Sequence, residues 1–417
     1  MTATGPPVRR LADWPEDRLR ALAADYETPL YVVDLERVRE NYARVTAAFP
    51  DAAVHYAVKA NATGAVLGTL ASRGAGAECV SAGEVRRALD AGVPAERVLY
   101  TATNPPARDL DRVLDVDGPL TVTVDAADTL DRLAERGYDG RLCVRVNPGI
   151  GAGHHDHVKT GGHAKFGVPA ERALAFAGEA VDRGFDVVGL HTHAGSGITG
   201  DDLAAHRAVV TRLGELAREL ERERGVALEF VDVGGGFGVP YRPTEPPIDL
   251  GAVATATREA LGDVAARLVV EPGRYLVADA GVLLTRTNTV KRAGETTVVG
   301  IDAGMNDLLR PALYGAYHHV RSLAPDAPDR NERPVTIAGP ICETADVLGE
   351  DRPLPDPRRG DLLAVGNAGA YGFEMASRYN SRPLAAVAAL DGDRRAVVRR
   401  RETIPDLTSD EREVQPS

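Results

Sequence analysis

The feature that most constrains this fold is a regular alternation of short apolar runs and helical segments over the first two thirds of the chain. Each apolar run ends at a polar turn, and most are followed by a segment with helical spacing, such as Ser81–Asp90. The runs occupy residues 53–58, 76–80, 97–100, 120–124, 142–146, 187–191, 229–233 and 267–271. Eight β–α units in about 240 residues are typical of a (β/α)8 barrel.

The chain changes character after Ala280. Short β-like runs are joined there by Gly, Pro and Asp turns; they are VLLTRTNTVKR, TTVVGID, RPVTIAG, DLLAVG, LAAVAAL and AVVRR. The sequence therefore predicts an α/β protein with a TIM-type (β/α)8 barrel at residues 35–280 and a C-terminal β-sheet domain at 281–417. We expect residues 1–34, which include the strand-like TPLYVVD, to join the second domain.

Charge, hydropathy and cysteine content exclude several classes of protein. The net charge of -12, with no basic cluster, argues against nucleic-acid binding. The first residues lack a signal-peptide core, and no apolar run is long enough to cross a bilayer. Cys79, Cys143 and Cys342 form no CxxC pair and suit a reducing compartment. We expect a cytoplasmic location and no membrane partner.

Lysine is scarce. The chain contains only Lys59, Lys159, Lys165 and Lys291, and arginine supplies the rest of its 49 basic residues. GC-rich coding would explain this bias, and so would an acidic surface adapted to salt. Both explanations remain open.

Chemically versatile residues follow the apolar runs, where the catalytic groups of a barrel are found. Lys59 lies in HYAVKAN (55–61), directly after the first run. A lysine at a strand end is either an ordinary solvent-facing side chain or an amine in a partly dry site. In a dry site its pKa falls and it can form a Schiff base with an aldehyde. The motifs HTHAGSG (191–197), DVGGGFGVPY (232–241) and EPGRY (271–275) follow later runs.

The glycine-rich DVGGGFG is either a plain turn or a loop whose backbone N–H groups approach a phosphate. It lacks the spacing of a dinucleotide-binding fingerprint and the GK[ST] of a P-loop. Arg274 could bind the same phosphate. Glu271 ends an apolar strand, so it either pairs with an arginine or faces a cationic nitrogen in the barrel mouth.

Two groups of histidines could in principle bind a metal. His191 and His193 are two residues apart, and a HHDH stretch occupies residues 154–157. Neither group has a third ligand at a recognised spacing, so we expect no metal.

Three further motifs occur in the second predicted domain: MNDLLRPALYGAYHH (305–319), GPICETADVL (339–348) and GAYGFEMASRYNSRP (369–383). Together with the barrel motifs they resemble the fold-type III, pyridoxal-phosphate-dependent amino-acid decarboxylases, and most closely their diaminopimelate-specific branch. The resemblance runs from YAVKAN to NSRP with the motifs in the family's order. It implies the fold of alanine racemase and ornithine decarboxylase, and pyridoxal 5'-phosphate as cofactor.

The resemblance also implies roles at the cofactor. Lys59 would bind it covalently, His193 would stack on its ring, and Glu271 would pair with its pyridine nitrogen. The phosphate would be held by Ser196, Gly235, Gly236, Arg274 and Tyr371.

At the substrate, the resemblance assigns the distal carboxylate to Arg310 and Tyr314 and the distal amine to Glu343, with Arg274 and Tyr371 as further contacts. Cys342 would lie near the reacting centre, so Lys59, His193 and Cys342 are the expected catalytic residues. The family places the Cys-Glu pair in the neighbouring subunit's site, which implies a homodimer. Thr344 stands where the family usually has serine and keeps the hydroxyl.

The implied activity is decarboxylation of meso-2,6-diaminopimelate to L-lysine and CO2, the last step of lysine biosynthesis. A cationic Arg310 disfavours a simple diamine such as ornithine, because it would repel the distal ammonium. The alternatives are the same chemistry on ornithine, arginine or a specialised amino acid, and a non-catalytic regulatory relative. A related racemase would not need the RPALY and CET segments.

Overall fold

The computed structural model describes residues 5–150, 165–193, 195, 198 and 203–412. The chain forms two compact units. The first contains Val38–Val239 and Pro247–Leu276, and the second contains Pro6–Arg37, Pro240–Pro246 and the residues from Val277 onward.

The first unit is a closed parallel barrel. Strand β1 (Leu30–Asp34) belongs to the second unit, and the strands of the first are β2 (Ala53–Ala57), β3 (Gly76–Cys79), β4 (Val98–Tyr100), β5 (Thr121–Val124), β6 (Arg141–Asn147), β7 (Val168–Pro169), β8 (Asp186–His191), β9 (Phe230–Asp232) and β10 (Arg267–Val270). Their order is β5-β4-β3-β2-β10-β9-β8-β6, and pairing of β5 with β6 closes the barrel. All eight predicted apolar runs correspond to barrel strands, which confirms the (β/α)8 prediction.

A helix follows each barrel strand. The helices up to the end of this unit are α1 (Glu16–Tyr26), α2 (Leu35–Ala48), α3 (Gly64–Ala71), α4 (Ala82–Asp90), α5 (Ala107–Leu114), α6 (Ala127–Ala134), α7 (Ala170–Asp182), α8 (Leu203–Arg224), α9 (Leu250–Leu261) and α10 (Arg274–Val277). Side-chain caps define two of the starts. Ser81 accepts the Glu84 N–H at the start of α4, and Asp249 accepts the Ala252 N–H at the start of α9.

Barrel strands are covered on both faces, which is why they read as continuous apolar runs and not as alternating patterns. Every residue of β3, β4 and β5 is buried. Glu78 in β3 and Asp232 at the end of β9 are therefore carboxyl groups in an otherwise apolar core. Such groups need a partner or a proton.

The second unit is built on a nine-stranded mixed sheet of order β15-β14-β12-β11-β1-β17-β18, in which β16 pairs with both β11 and β13. Its remaining strands are β11 (Gly281–Ala293), β12 (Thr296–Ile301), β13 (Val320–Ser322), β14 (Glu332–Ala338), β15 (Val347–Pro355), β16 (Leu362–Val365), β17 (Ala386–Asp391) and β18 (Arg394–Arg399). Helices α11 (Arg310–Tyr314) and α12 (Ile404–Thr408) complete it. The six predicted β runs are all strands.

The N-terminal segment supplies part of this unit's core. Strand β1 lies between β11, with which it is antiparallel, and β17, with which it is parallel. Leu19 and Leu22 of α1 pack with Leu30 and Val282 in one buried cluster. Burying each such side chain contributes about 1.5–3 kcal/mol.

The helices and the cysteines can be compared with what the sequence predicts about membranes and disulfides. Within the described part of the chain, no helix has the length and apolarity needed to span a bilayer. The three cysteines are free thiols, with Cys79 and Cys143 buried and Cys342 exposed.

Candidate active site

Lys59 follows β2 in a short 3-10 turn, Val58–Ala60. Its Nζ lies 2.7 Å from Oε2 of Glu78, and its side chain is 43% exposed whereas that of Glu78 is 2% exposed. Strands β2 and β3 are neighbours with Ala57 opposite Glu78, and this register brings the two side chains together. The side chain is thus partly exposed in this structure, and the partly dry site stays a prediction. The amine is accessible and its charge is paired with a buried carboxylate.

Glu271 lies directly after β10 and is buried. Its Oε2 is 3.2 Å from Nε2 of His191, and its Oε1 has no hydrogen-bond partner among the residues described. Burial alone would raise the pKa of Glu271, but His191 and Lys59 outweigh it and hold the pKa below its usual value. Glu271 is thus a buried carboxylate with one oxygen available to a cationic or N–H group.

Asp232 ends β9 and is fully buried. Its Oδ1 accepts the Gly234 N–H at 2.8 Å. Burial raises the pKa of Asp232 well above its usual value, and the neighbouring Glu271 raises it further. Donor atoms of His191, Asp232 and Glu271 all lie within 4.8 Å of one another, so the three side chains form one buried cluster. The cluster includes His191 of the histidine pair considered from the sequence, but not His193.

His193 is half-buried just after β8, and its Nδ1 accepts the Gly235 N–H at 3.3 Å. Desolvation lowers the pKa of His193 to about 3, helped by the charges of Lys59 and Arg145. The imidazole is therefore neutral at physiological pH, and its orientation is fixed by the glycine loop.

The glycine loop approaches its neighbours too closely for side chains. A Cβ on Gly235 would overlap the Glu271 carbonyl oxygen, and one on Gly236 would overlap the carbonyl oxygen of Gly195. Gly236 also has a φ of 88°, a conformation that side-chain-bearing residues rarely adopt. Arg274 begins α10 a few residues after Glu271 and is half-buried. This is the composition of an anion-binding loop.

Ser196 and the histidines at 154–157 lie outside the described residues.

In the second unit, Arg310 is buried at the start of α11. Its Nη1 donates to the Tyr241 hydroxyl at 2.8 Å and lies 3.2 Å from Nε2 of His318. His318 is itself fully buried, and its Nδ1 is 2.9 Å from the Gly366 carbonyl oxygen. That contact requires a proton on Nδ1, which leaves Nε2 to accept from Arg310. The guanidinium is thus oriented by a built network.

The other predicted residues of this unit are more accessible. Cys342 and Glu343 are exposed and contact the 379–380 turn, where Asn380 lies 3.4 Å from the Cys342 thiol and Tyr379 donates to Glu343. Tyr371 has a φ of 56°, an outlier for an aromatic residue of the kind that concentrates at functional sites. Tyr314 is half-buried at the end of α11.

Within the first unit, the structure brings together the predicted residues Lys59, His193, Glu271 and the glycine loop. Within the second, it pairs Cys342 with Glu343 in one loop and places Arg310 and Tyr314 on one helix. The sequence analysis gave no role in these clusters to five residues, which are Glu78, His191, Asp232, Tyr241 and His318. His191 was considered there only as a metal ligand, and Asp232, Tyr241 and His318 stood only inside longer motifs. The available signal for Glu78 and Asp232 was an isolated acid in an apolar run.

The family model for the pyridoxal-dependent decarboxylase, pyridoxal binding domain, matches residues 35–278. The chain is 43% identical to the diaminopimelate decarboxylase of Methanothermobacter thermautotrophicus, over 93% of this chain and 92% of that protein.

The fold is also similar to solved structures over most of the chain. The diaminopimelate decarboxylase of Helicobacter pylori complexed with L-lysine matches with a TM-score of 0.87 and 33% identity, covering 94% of this chain and 98% of that one. An SrLDC mutant in complex with PLP matches with a TM-score of 0.81 and 28% identity, covering 91% and 96%.

Proposed function

Because the chain belongs to the diaminopimelate decarboxylase family of pyridoxal-dependent decarboxylases, we propose that it converts meso-2,6-diaminopimelate to L-lysine and CO2. The observation that carries this proposal is the barrel centre, where the accessible amine of Lys59 and the buried carboxylate of Glu271 lie in one electrostatic network. The L-lysine bound to the Helicobacter pylori relative is the product of this reaction.

The residues present fit pyridoxal 5'-phosphate as the cofactor. Two observations support the fit. One oxygen of Glu271 lacks a partner among the described residues, and the glycine loop has no room for a Cβ at Gly235 or Gly236, so its backbone is bare. Once bound, the cofactor supplies an electron-withdrawing ring that stabilises the negative charge left on Cα when CO2 departs.

The chain's own residues then have distinct tasks. Lys59 would hold the cofactor covalently through Nζ, and Glu271 would keep the ring nitrogen protonated. His193 would contact the ring as a neutral imidazole, so it would add no competing positive charge. The phosphate is held by Gly235, Gly236 and Arg274, together with Ser196 and Tyr371.

At the substrate, Arg310 binds the distal carboxylate together with Tyr314, and Glu343 binds the distal amine. Arg274 and Tyr371 are further substrate contacts, and Cys342 acts near the reacting centre. The exposure of Cys342 and Glu343 within one chain supports a role in the site of a second copy, so we propose a homodimer with shared active sites. We further propose residues 35–280 as the cofactor-binding domain and residues 281–417, with 1–34, as the second. The cytoplasmic location stays a prediction.

The central experiment measures CO2 release by the purified protein with PLP, offered meso-diaminopimelate, ornithine, arginine and lysine in parallel. We expect clear preference for diaminopimelate, with lysine as the product. Activity on another amino acid would reject the substrate but keep the chemistry, and no release from any of them would favour the regulatory alternative.

A matched variant tests the substrate assignment. Arg310→Met keeps an unbranched, flexible side chain, though a shorter one, and removes the charge, so KM for diaminopimelate should rise at least about tenfold, the equivalent of one charge-assisted hydrogen bond. Unchanged discrimination between diaminopimelate and ornithine would contradict the role of Arg310.

Cofactor attachment is tested by borohydride reduction followed by peptide mass spectrometry. The cofactor should be fixed on the peptide that contains Lys59, and Lys59→Ala should give no labelled peptide. Labelling at Lys165 or Lys291 would reject the assignment.

Mixing two inactive variants tests the shared site. If Lys59→Ala and Cys342→Ala dimers exchange subunits, half of the dimers are mixed and each carries one intact site. Activity should then recover to about a quarter of the wild-type value. No recovery despite proven exchange would place both residues in the same subunit's site.

A further inference from the structure

Two carboxyl groups lie close together at the buried centre of the barrel. Oδ2 of Asp232 and Oε1 of Glu271 are both inaccessible to solvent, and neither has a hydrogen-bond partner within the described chain. The donor atoms of these two residues and of His191 lie within 4.8 Å of one another. Strand register explains the proximity, because Asp232 is opposite His191 on one side and Val269, near the end of β10, on the other.

Two ionised carboxylates at this separation in a dry interior repel each other strongly. A single proton between them removes the repulsion. Such a proton can be shared as a hydrogen bond, because a protonated carboxyl donates and the other accepts, and Oδ2 of Asp232 and Oε1 of Glu271 are the oxygens of the pair without another partner in the described chain.

The surroundings decide which residue carries that proton. Glu271 accepts from His191 and lies in the field of Lys59, and both interactions favour its ionised form. Asp232 accepts one backbone N–H from Gly234 and faces the charge of Glu271. Burial and this neighbour raise the pKa of Asp232, whereas the pKa of Glu271 is lowered.

We propose that Asp232 is a positioning residue, held as a neutral carboxylic acid that donates its Oδ2 proton to Glu271. Glu271 is then the single negative charge of the pair, oriented by His191 at Oε2 and by Asp232 at Oε1, and the second lone pair of Oε1 stays available to the N–H of the cofactor's ring. An uncharged carboxylic acid stabilised by its surroundings in this way is an established device in enzyme sites. The link from this pair to the cofactor's ring nitrogen rests on the proposed function, whereas the protonation of Asp232 does not.

The titratable groups that act on the pair come from several barrel strands and loops. Among the described residues they include His55, His191, His193, Lys59, Glu78 and Cys143.

Infrared spectroscopy of the full-length protein with its cofactor tests the protonation state directly. Wild-type protein carrying 13C in its aspartate carboxyls should show an isotope-shifted carboxylic-acid C=O band at pH 8. Asp307 does not interfere, because burial raises its pKa only to about 6 and it is ionised at that pH. The band should disappear in Asp232→Asn and persist in Asp279→Asn, where the lost acid is ion-paired with Arg37. Absence of the band from the wild type, or its persistence in Asp232→Asn, would overturn the proposal.

A second comparison separates positioning from mere structural support. Asp232→Asn keeps an N–H donor for Glu271 at nearly the same volume, and Asp232→Leu removes the donor while keeping the branch at Cγ. We expect Asp232→Leu to lower kcat at least about tenfold with little change in KM, and to shift the pH dependence of the cofactor's absorbance. Asp232→Asn should restore both to near wild-type values. Equal losses in both variants would indicate a structural role.

Metal binding provides an independent check. Stoichiometric zinc bound to the wild type and lost in Asp232→Asn would make Asp232 an ionised ligand and overturn the proposal. Because the infrared result does not depend on which amino acid is decarboxylated, its failure is distinguishable from a failure of the proposed function.

Discussion

At the scale of single residues, the central lysine is controlled by a carboxylate and not by an apolar pocket. Glu78 is buried, whereas Lys59 is partly exposed. The ion pair therefore holds the amine at the buried carboxylate while the rest of its surface stays accessible to an aldehyde. Such a carboxylate stabilises the charged amine, which is the form that does not attack an aldehyde.

Replacing Glu78 with glutamine should therefore change the pH at which the amine reacts. Glu78→Gln keeps the volume and removes the charge, so protein stripped of cofactor should recapture pyridoxal phosphate at lower pH than the wild type does. The measurement is the rate at which the bound-cofactor absorbance appears, followed across pH. Glu84→Gln on the following helix is the control and should leave the profile unmoved. Identical profiles for Glu78→Gln and wild type would contradict the anchoring role.

The glycine loop supports a second residue-scale prediction. Gly235→Ala places a methyl group on the Glu271 carbonyl oxygen, so the loop must shift at a cost of about 1–3 kcal/mol. Chemical denaturation should show this loss, and the affinity for cofactor should fall with it. Gly64→Ala is the matched control, because its added Cβ meets no atom within 4 Å. Equal stability of the two variants would show that the loop relaxes freely.

Some residues of the site could be identified from the sequence and others could not. Lys59 and Glu271 were identifiable because each interrupts or ends an apolar run beside a recognisable motif. Glu78 interrupts a run in the same way, but its meaning depends on a neighbour across the sheet, and pairing between β2 and β3 cannot be read from either strand alone. The accessibility of Lys59 likewise follows from the turn after β2 and not from the run that precedes it.

At the scale of secondary-structure elements, helix α11 shows how a short element can carry specificity. It has only five residues, so its own hydrogen bonds do little to fix Arg310. Orientation comes instead from Tyr241 and His318, whose rings contact each other edge to face with centroids 5.3 Å apart. Arg310 stacks over the Tyr241 ring at 4.9 Å.

His318→Phe should loosen this arrangement, because it keeps an aromatic ring, slightly larger than imidazole, and removes both the acceptor for Arg310 and the donor to the Gly366 carbonyl. Arg310 loses one acceptor, a change of about 1 kcal/mol, and kcat/KM for diaminopimelate should fall roughly fivefold through KM. His319→Phe alters the adjacent half-buried residue and serves as the control. An effect on kcat alone, or an equal effect of both variants, would contradict the positioning role of His318.

The sequence predicted those strands that contain a run of apolar residues and did not predict those that lack one. The eight barrel strands and six of the later strands have compact apolar runs. Strand β15 has the sequence VLGEDRPLP, whose charges and prolines are typical of a loop, and it is held as a strand by pairing with β14. Strand β13 has three residues, too few to establish any period.

At the scale of the whole molecule, buried neutral histidines set a limit on acid stability. His206 Nε2 lies 2.8 Å from the Thr257 hydroxyl, which donates its own proton to the Val253 carbonyl, so Nε2 must be the donor. Nδ1 is buried and has no partner in the described structure. Burial lowers the pKa of His206 from 6.5 to about 4.

The folded and unfolded chains bind different numbers of protons at His206, and this difference makes stability depend on pH. Between pH 6.5 and 4 the unfolded chain binds a proton at His206 that the folded chain does not, so stability falls as pH falls through this range. The full effect is roughly 3 kcal/mol. His206→Gln keeps the donor and cannot titrate, so denaturation midpoints at pH 4.5 and 7 should lie closer together than in the wild type. Thr257→Val, which removes the hydrogen bond but keeps the histidine, should lower both midpoints alike. A pH dependence unchanged by His206→Gln would reject this account.

The central position of β1 in its sheet has a consequence for how the protein is made. Its partners are β11 and β17, and the second of these is encoded roughly 350 residues later. A ribosome adding about 5–20 residues per second takes on the order of 20–70 s to cover that interval, and the whole barrel sequence is synthesised in the meantime. Strand β1 is therefore synthesised long before its second neighbour is available to pair with it. A nascent chain stalled before Ala386 would expose the apolar edge of β1 that later pairs with β17. The sheet topology therefore favours chaperone binding to this edge during synthesis.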